Sequence, residues 1–443
     1  MHPVGNIRSS LSNHLDGRRI VLAVSGSIAA VKTVELAREL VRHGAVVVPV
    51  MSQAATRILH PDALEFATGI APITRLTGQV EHVSLLGKVE GRADLLLVAP
   101  ATGNTVAKLA LGIDDGPVTT CATVAFGSGV PVVVAPAMHE VMLDQPILAD
   151  HKRTLIGRLG VTWVEPVREE SKAKLADVED IVEAVIHRLA NDAANPGPLA
   201  GKKALVVSGA TVEPVDPVRI LTNRSSGRSG HLIATELARL GAAVTLWEGH
   251  TTEPTPGHLV GRTVRFATHA DLMRLAKGKS AAAFDHIWMP AAIGDYGAKP
   301  AKQKVPSGEA SLTLELGPLP KVAEVLRKAA PKATLVAFKA ESDAGALAKA
   351  ARERLTRYGA QFIVANLATA FGAVDTTVHL VHAKGHETFT GPKDEVLPTI
   401  VDLVAMAARP GNEPRNPRKP RKPGSPGSVD SVARGRAARK AAK

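Results

Sequence analysis

The sequence predicts two doubly wound α/β domains in tandem, followed by a basic tail, and three observations predict it. Short runs rich in β-branched and small apolar residues, at 19–25, 45–51, 95–99 and 130–135, alternate with segments of helical length. The alternation restarts after residues 191–200, a stretch bearing Asn, Pro and Gly that reads as a linker. Aromatic residues make up only 3% of the 443-residue chain while 45% is apolar, a balance suited to small-residue packing of helices on buried parallel strands.

Each element follows from its local pattern. The first strand, RIVLAVS, stops at Gly26 and Ser27, and apolar residues then recur at helical spacing over 29–43 until Gly44 ends them. An amphipathic stretch at 177–189 closes a first domain of residues 18–190, with 1–17 as an N-terminal extension. The second domain, 201–408, opens with the strand KALVVS at 203–208 and turns at Gly209-Ala210-Thr211. A helix over about 230–240 and strands at 243–247, 286–290, 334–338 and 362–365 follow, repeating the nucleotide-fold logic of the opening. No short-period repeat suggests a solenoid.

Lys plus Arg number 54 and Asp plus Glu 42, a net charge of +12, yet residues 409–443 alone hold eleven basic and two acidic residues. That Pro/Gly/Ser/Arg/Lys tail cannot bury enough apolar surface to fold and reads as disordered. The nearly balanced body argues against a nucleic-acid partner. A single cysteine, Cys121, excludes an intrachain disulfide, and its setting in TTCATVA reads as a buried structural helix position. No zinc-type Cys/His spacing occurs. The opening residues lack a signal-peptide apolar stretch and no run of about 18 apolar residues appears, so a cytoplasmic protein without membrane partners is expected.

Open parallel sheets bind ligands beyond the carboxyl ends of their strands, where glycine and small hydroxyl residues let backbone N–H groups and helix N-termini meet a phosphate. Ser25-Gly26-Ser27 is the first such corner. Ala99-Pro100-Ala101-Thr102-Gly103-Asn104 and Ala135-Pro136-Ala137-Met138-His139 follow two later strands, a set that suits a flat ligand. The order SGSIAA, EHVSL, APATGNTVAKLALG, PVVVAPAM resembles the flavin-dependent cysteine decarboxylases, specifically the phosphopantothenoylcysteine decarboxylase half of the bifunctional coenzyme A biosynthesis proteins.

That resemblance, over roughly residues 18–189, implies a flavodoxin-like flavoprotein domain, FMN as cofactor, and loss of a cysteinyl carboxylate as CO2 by way of a thioaldehyde and an enethiol. It places the phosphate turn on Gly26 and Ser27 and the flavin contacts on Ala99, Pro100, Ala101, Thr102 and Met138. It places the acid/base histidine on His82, in the family's helix before its second strand; taken alone, His82 reads as a surface imidazole on a helix face. The sequence departs from the family twice. The family's PAMN is here Pro136-Ala137-Met138-His139, so His139 stands where an Asn grips the substrate carboxylate. A catalytic Cys loop is replaced by Glu169-Glu170-Ser171-Lys172-Ala173-Lys174, where Lys172 or Lys174 could serve as the acid; this loop is similar to an archaeal form of the family.

In the second domain, Gly209-Ala210-Thr211-Val212-Glu213-Pro214-Val215-Asp216-Pro217-Val218-Arg219 and Leu221-Thr222-Asn223-Arg224-Ser225-Ser226-Gly227 combine a strand-end glycine turn with a hydroxyl-, amide- and glycine-rich loop before a helix. They resemble the signature GPTxEPxDPVR…SNxSSG of the phosphopantothenate–cysteine ligase domain, over about residues 201–408. The resemblance implies that Gly209 and Thr211 border the nucleotide, that Asn223 holds an acyl-cytidylate, and that Lys304, with Lys302 as its neighbour, is the catalytic lysine of the loop 299–304. Asp295, in a stretch similar to AAVADY, is then the Mg2+-linked carboxylate. Phe338 and Lys339, in a stretch similar to GF[AK]AET, surround the nucleotide with Asn366, although Leu367 stands where the family has Asp. The resemblance implies CTP as co-substrate; no residue excludes ATP.

The favoured expectation is therefore a bifunctional enzyme that joins cysteine to 4′-phosphopantothenate and decarboxylates the product to 4′-phosphopantetheine. The family's trimeric flavin and dimeric ligase domains imply a homo-oligomer, a dodecamer. One alternative keeps the ligase active beside a flavin-binding regulatory domain impaired in decarboxylation. Another, a dehydrogenase holding NAD(P) at its glycine-rich corners, lacks a Tyr-x-x-x-Lys pair.

Overall fold

Continuous apolar sequence becomes strand at the centre of each sheet because helices cover both faces. The structure is a computed structural model that describes residues 2–306, 312–367 and 375–407. The first unit begins β1 (Arg19–Val24), α1 (Thr33–Arg42), β2 (Val46–Met51), α2 (Pro61–Thr68) and α3 (Glu81–Leu86). It continues through β3 (Leu95–Ala101), α4 (Gly103–Leu111), α5 (Pro117–Ser128) and β4 (Val132–Pro136). After β5 (Met138–His139), α6 (Glu140–Leu143), α7 (Pro146–Gly157) and β6 (Thr162–Trp163), the hairpin β7 (Val167–Glu169) and β8 (Lys172–Lys174) leads to α8 (Val178–Ala190).

The parallel sheet has the order β2-β1-β3-β4-β6, so the chain reverses direction across the sheet between β1 and β3. Alternate residues of β1 enter two cores. Ile20, Leu22 and Val24 pack with Leu36, Leu40, Ile181 and Val185 on one face, and Val21 and Ala23 with Leu96, Val98, Cys121 and Ala122 on the other. The helix expected over 29–43 starts instead as a 3-10 turn, Ile28–Lys32, with α1 beginning at Thr33. The Ser27 hydroxyl caps that turn by accepting the Ala29 N–H at 3.3 Å. Strand β3 extends past the expected end at residue 99 because Ala101 still pairs with Pro136 after an irregularity.

The second unit contains β9 (Lys203–Ser208), β10 (Val212–Pro214), β11 (Ile220–Thr222), α9 (Arg228–Arg239), β12 (Ala243–Glu248), α10 (Gly257–Val260) and β13 (Thr263–Arg265). Next come α11 (His269–Lys277), β14 (His286–Met289), β15 (Tyr296–Ala298), β16 (Leu316–Pro318), α12 (Val322–Ala329) and β17 (Thr334–Glu341). The remainder is α13 (Ala344–Tyr358), β18 (Phe362–Leu367), β19 (Asp375–His382), β20 (Gly385–Pro392) and α14 (Lys393–Ala407). Its eight-stranded sheet runs β13-β12-β9-β14-β17-β18-β19-β20, a Rossmann-type order that reverses between β9 and β14. Strands through β18 are parallel, whereas β19 and β20 add antiparallel. The sequence reading missed these two because one of their faces is exposed, which breaks the apolar run.

Helix α8 packs on α9, where Arg239 Nε donates to both Glu183 oxygens at 2.9 and 3.0 Å. The His258 N–H donates to Asp180 at 2.8 Å. The N-terminal residues join this contact, since Leu15 is fully buried and His14 Nε2 lies 3.0 Å from Glu236. The fold is the tandem doubly wound α/β class that the sequence predicts. The tail expected to be disordered, 409–443, lies outside the described residues.

Candidate functional site

At the reversal point of the first sheet, the turns after β1 and β3 are bonded to each other. The Ser25 hydroxyl donates to the Pro100 carbonyl at 2.7 Å and accepts the Thr102 N–H at 3.0 Å. Gly26 has no room for a side chain, since an added Cβ would lie 2.4 Å from Ala54 Cβ. The Ala99–Pro100 peptide is cis. Thr102 caps α4 by accepting the Thr105 N–H at 3.2 Å. The Ala137 N–H donates to the Ala101 carbonyl at 3.0 Å, and Met138 lies against Gly103. Gly26, Ser27, Ala99, Pro100, Ala101, Thr102 and Met138 thus share one rim.

His139 is exposed on the short ladder β5-β8-β7, directly opposite Lys172, with Glu169 next to Lys172 on the far strand. Because side chains alternate along a strand, His139, Lys172 and Lys174 share one face while Ala173 turns into the core. Lys174 is paired with Glu169 at 2.9 Å and Glu170 at 3.0 Å, partners that raise its pKa. His82 sits in α3, which packs on α5 and precedes the third strand rather than the second. Its Nδ1 is buried without a hydrogen-bond partner. Among the described residues no hydrogen bond links His82 to His139 or to the rim turns.

The second sheet repeats the arrangement at its own reversal point. Gly209 has φ +78°, and an added Cβ would lie 2.8–3.0 Å from the Gly249 backbone, so glycine is required there. Thr211 is buried; its Oγ1 accepts the Gly294 N–H at 2.9 Å and its carbonyl accepts the Thr222 hydroxyl at 2.8 Å. Asn223 Nδ2 donates to the Ala292 carbonyl at 3.2 Å. Three signature segments, 209–211, 222–223 and 292–294, are thereby stitched into one cluster.

Asp295 is exposed and ion-paired with Lys321. Lys339 pairs with Glu341 at 3.0 Å, and Asn366 lies on β18 between Ala340 and Val378. Phe338 is opposite Val364 on the same two strands. Lys302 and Lys304 are exposed, in a segment separate from β17 and β18. No group of three His, Cys, Asp or Glu among the described residues is arranged to hold a metal ion.

Residues 8–190 match the flavoprotein family, and residues 199–407 match the DNA/pantothenate metabolism flavoprotein C-terminal domain. A coenzyme A biosynthesis bifunctional protein CoaBC of Thermococcus kodakarensis is 44% identical over 86% of this chain and 93% of its own length. The corresponding protein of Methanocaldococcus jannaschii is 34% identical over 91% of this chain and 97% of its own. A solved C-terminal domain of CoaBC, 29% identical, covers 48% of this chain and 97% of its own with a TM-score of 0.40. The chain belongs to the CoaBC family.

Membership makes this a two-domain enzyme of coenzyme A biosynthesis, with a flavoprotein decarboxylase domain ahead of a ligase domain. The archaeal likeness expected from the 169–174 loop agrees with the Thermococcus and Methanocaldococcus relatives. Among the described residues no helix is long and apolar enough to cross a membrane.

Three groups were given no role by the sequence. Asp216 is 3% exposed and bound by four donors from 218, 219 and 305. Lys321 faces Asp295 across 26 residues of chain. Glu248 ends β12, where a dinucleotide fold offers a carboxylate to a ribose. It is fully buried and taken by His231, Arg265 and the Thr255 hydroxyl at 2.6 Å, which counts against the dehydrogenase alternative. Only the AspPro motif around 216 gave a local signal; the other two pairings are long-range. Cys121 is 1% exposed, and burial, then the Glu81 carboxylate, pushes its thiol up to about 12, so it supplies no ready acid or thiolate to the flavoprotein site.

Proposed function

We propose that the ligase domain condenses cysteine with 4′-phosphopantothenate at the expense of CTP, through an acyl-cytidylate. The flavoprotein domain then decarboxylates the product to 4′-phosphopantetheine, with FMN as its cofactor. The observation that carries this reading is that each sheet gathers its signature turns at the reversal point of its strand order, where such sheets bind phosphorylated ligands.

Activation of a carboxylate leaves negative charge on the α-phosphate, which donors and cations must meet. Asn223 spends one amide N–H on Ala292 and keeps its Oδ1 and second N–H for the acyl-nucleotide. Lys304 and Lys339 supply point charges to phosphate oxygens, with Gly209, Thr211, Phe338 and Asn366 bordering the nucleotide. Asp295, ion-paired with Lys321, would be the carboxylate that holds Mg2+, an ion that uses one or two carboxylates together with substrate phosphates and water.

In the flavoprotein domain, Gly26 and Ser27 would hold the FMN phosphate, and Ala99, Pro100, Ala101, Thr102 and Met138 its ring. The buried, unpartnered His82 Nδ1 fits a bound polar ligand. Bound flavin supplies a two-electron acceptor and donor. His82 moves a proton at the substrate, His139 receives the carboxylate, and Lys172 or Lys174 acts as the acid in place of a thiol. Lys174 already has two carboxylate partners, which favours Lys172. A cytoplasmic dodecamer of trimers and dimers is the assembly; a monomer in light scattering would refute it.

The test is incubation with 4′-phosphopantothenate, cysteine, Mg2+ and either CTP or ATP, following pyrophosphate, CO2 and product mass. CTP-dependent pyrophosphate followed by CO2 is expected, with Lys304→Ala and Asn223→Ala losing both and His82→Asn losing only CO2. The buried Cys121 favours a second reading, an active ligase beside a flavin-binding but decarboxylation-impaired domain. Pyrophosphate release without CO2 would select it, and release of neither product by folded protein would sink both.

A further inference from the structure

We infer that Asp216 is a positioning residue that clamps the lysine loop of the ligase to the turn between β10 and β11. The inference rests on the reading of Lys304 as the loop's working cation. Asp216 Oδ1 accepts the Val218 and Arg219 N–H groups at 2.8 and 2.7 Å. Its Oδ2 accepts Arg219 Nη1 at 2.8 Å and the Val305 N–H at 3.0 Å. Arg219 Nη1 also donates to the Val305 carbonyl at 2.9 Å. The peptide group on each side of Val305, the residue after Lys304, is therefore gripped by one carboxylate–guanidinium pair. At the other end, the Ala301 N–H donates to the Val215 carbonyl at 2.9 Å. Lys302 and Lys304 lie between these two ties and point their charge from an exposed stretch.

Four donors occupy the four acceptor positions of the carboxylate, so Asp216 has no capacity left for substrate, nucleotide or metal. Burial alone would raise its pKa. The backbone N–H groups of Val218, Arg219 and Val305, with the Arg219 side chain, outweigh burial and hold the carboxyl at about 2. The clamp stays ionised throughout the neutral range. A sequence separation of 89 residues between Asp216 and Val305 makes it a tertiary device, and it gives the Asp of the DPVR stretch a physical task.

Asp216→Asn keeps the shape but turns an NH2 toward Val305 and Arg219, two donors. Displacing a reacting group by about 1 Å costs roughly 10²-fold in rate. The expected result is a loss of that order in kcat for CTP-dependent pyrophosphate release, with the KM for cysteine little changed. Trypsin should cut faster after Lys302 and Lys304, as located by mass spectrometry, with cleavage at the other sites unchanged from the parent. In a Lys304→Ala background, Asp216→Asn should add little, because it acts through the lysine. Should Asp216→Asn fail to fold, Val305→Pro is the second variant: it removes the N–H that Asp216 Oδ2 accepts, at a residue that already precedes Pro306. It should reproduce the kcat loss and the faster cut after Lys302, while the bond after Lys304 becomes resistant to trypsin because proline follows it. Parental turnover in Lys304→Ala would sink the reading of the lysine and the role given to Asp216 with it. A Lys304→Ala loss beside parental turnover and cleavage in Asp216→Asn, or equal losses from Asp216→Asn in both backgrounds, would overturn the inference alone.

Discussion

Gly230, in the first turn of α9, tests the packing that holds the ligase rim together. In an exposed helix, Gly→Ala gains about 1 kcal/mol. Here an added Cβ would lie 2.1 Å from Ser208 Oγ and 2.3 Å from Ser208 Cβ. Rotating the hydroxyl relieves the first overlap only, because Cβ is fixed by the β9 backbone. Helix α9 must therefore shift off the sheet, and overpacking of this kind costs about 1–3 kcal/mol. With the overlap this deep the upper half of that range applies, and Gly230→Ala should destabilise the ligase domain by about 1–2 kcal/mol net. Urea unfolding measures it in a Trp163→Phe background, where the buried Trp247 and Trp288 report the ligase domain alone. Adding Ser208→Gly removes both clashing atoms and should return a favourable coupling of about 2–3 kcal/mol, the whole of the overlap cost. Since α9 directly follows the Ser225–Gly227 turn, ligase KM should rise as well. A midpoint equal to or above the parent's would refute the reasoning.

Three further outcomes are expected. The Asp402 carboxyl is pushed up to about 6 by burial, then by the Glu236 charge, against the opposing His14. A folded pKa above the unfolded value means that ionisation costs stability above pH 6 and nothing below about 4, so Asp402→Asn should gain at most about 3 kcal/mol at pH 7.5 and lose that gain as pH falls through 6 toward 4. A gain that stays constant from pH 4.5 to 7.5 would contradict this. Cys121 in native protein at pH 8 should react with a disulfide reagent at least about 10³-fold more slowly than in urea, as its raised pKa suppresses the thiolate; prompt native labelling would disprove its burial. Glu248→Gln should cost about 2 kcal/mol by urea unfolding, at the low end for a broken buried network, because Arg265 is 59% exposed and can turn to solvent. Unchanged stability would show that the network contributes nothing.

The strand segments, the glycine corners and the two signature loops were legible in the sequence, since each is set by residues within a few positions of one another. A run such as RIVLAVS has one comfortable state when covered on both faces, and Gly26 and Gly209 mark places where no side chain fits. Residue order also carried the family resemblance, because its motifs are contiguous. Strand order was not legible. Periodicity says that a segment is a strand but not which neighbour it pairs with, so the reversals between β1 and β3 and between β9 and β14 emerge only from long-range packing. The half-exposed β19 and β20 were lost for the related reason that their apolar pattern is diluted by solvent-facing residues. Within the candidate sites, the family resemblance named Asn223, Asp295 and Lys304. Tertiary structure decided that Asn223 meets Ala292, that Asp295 faces Lys321, and that Asp216 holds the segment beside Lys304. Those pairings join residues 26 to 89 positions apart, and a hydrogen bond depends on where two groups arrive in space, which the folded sheet alone determines.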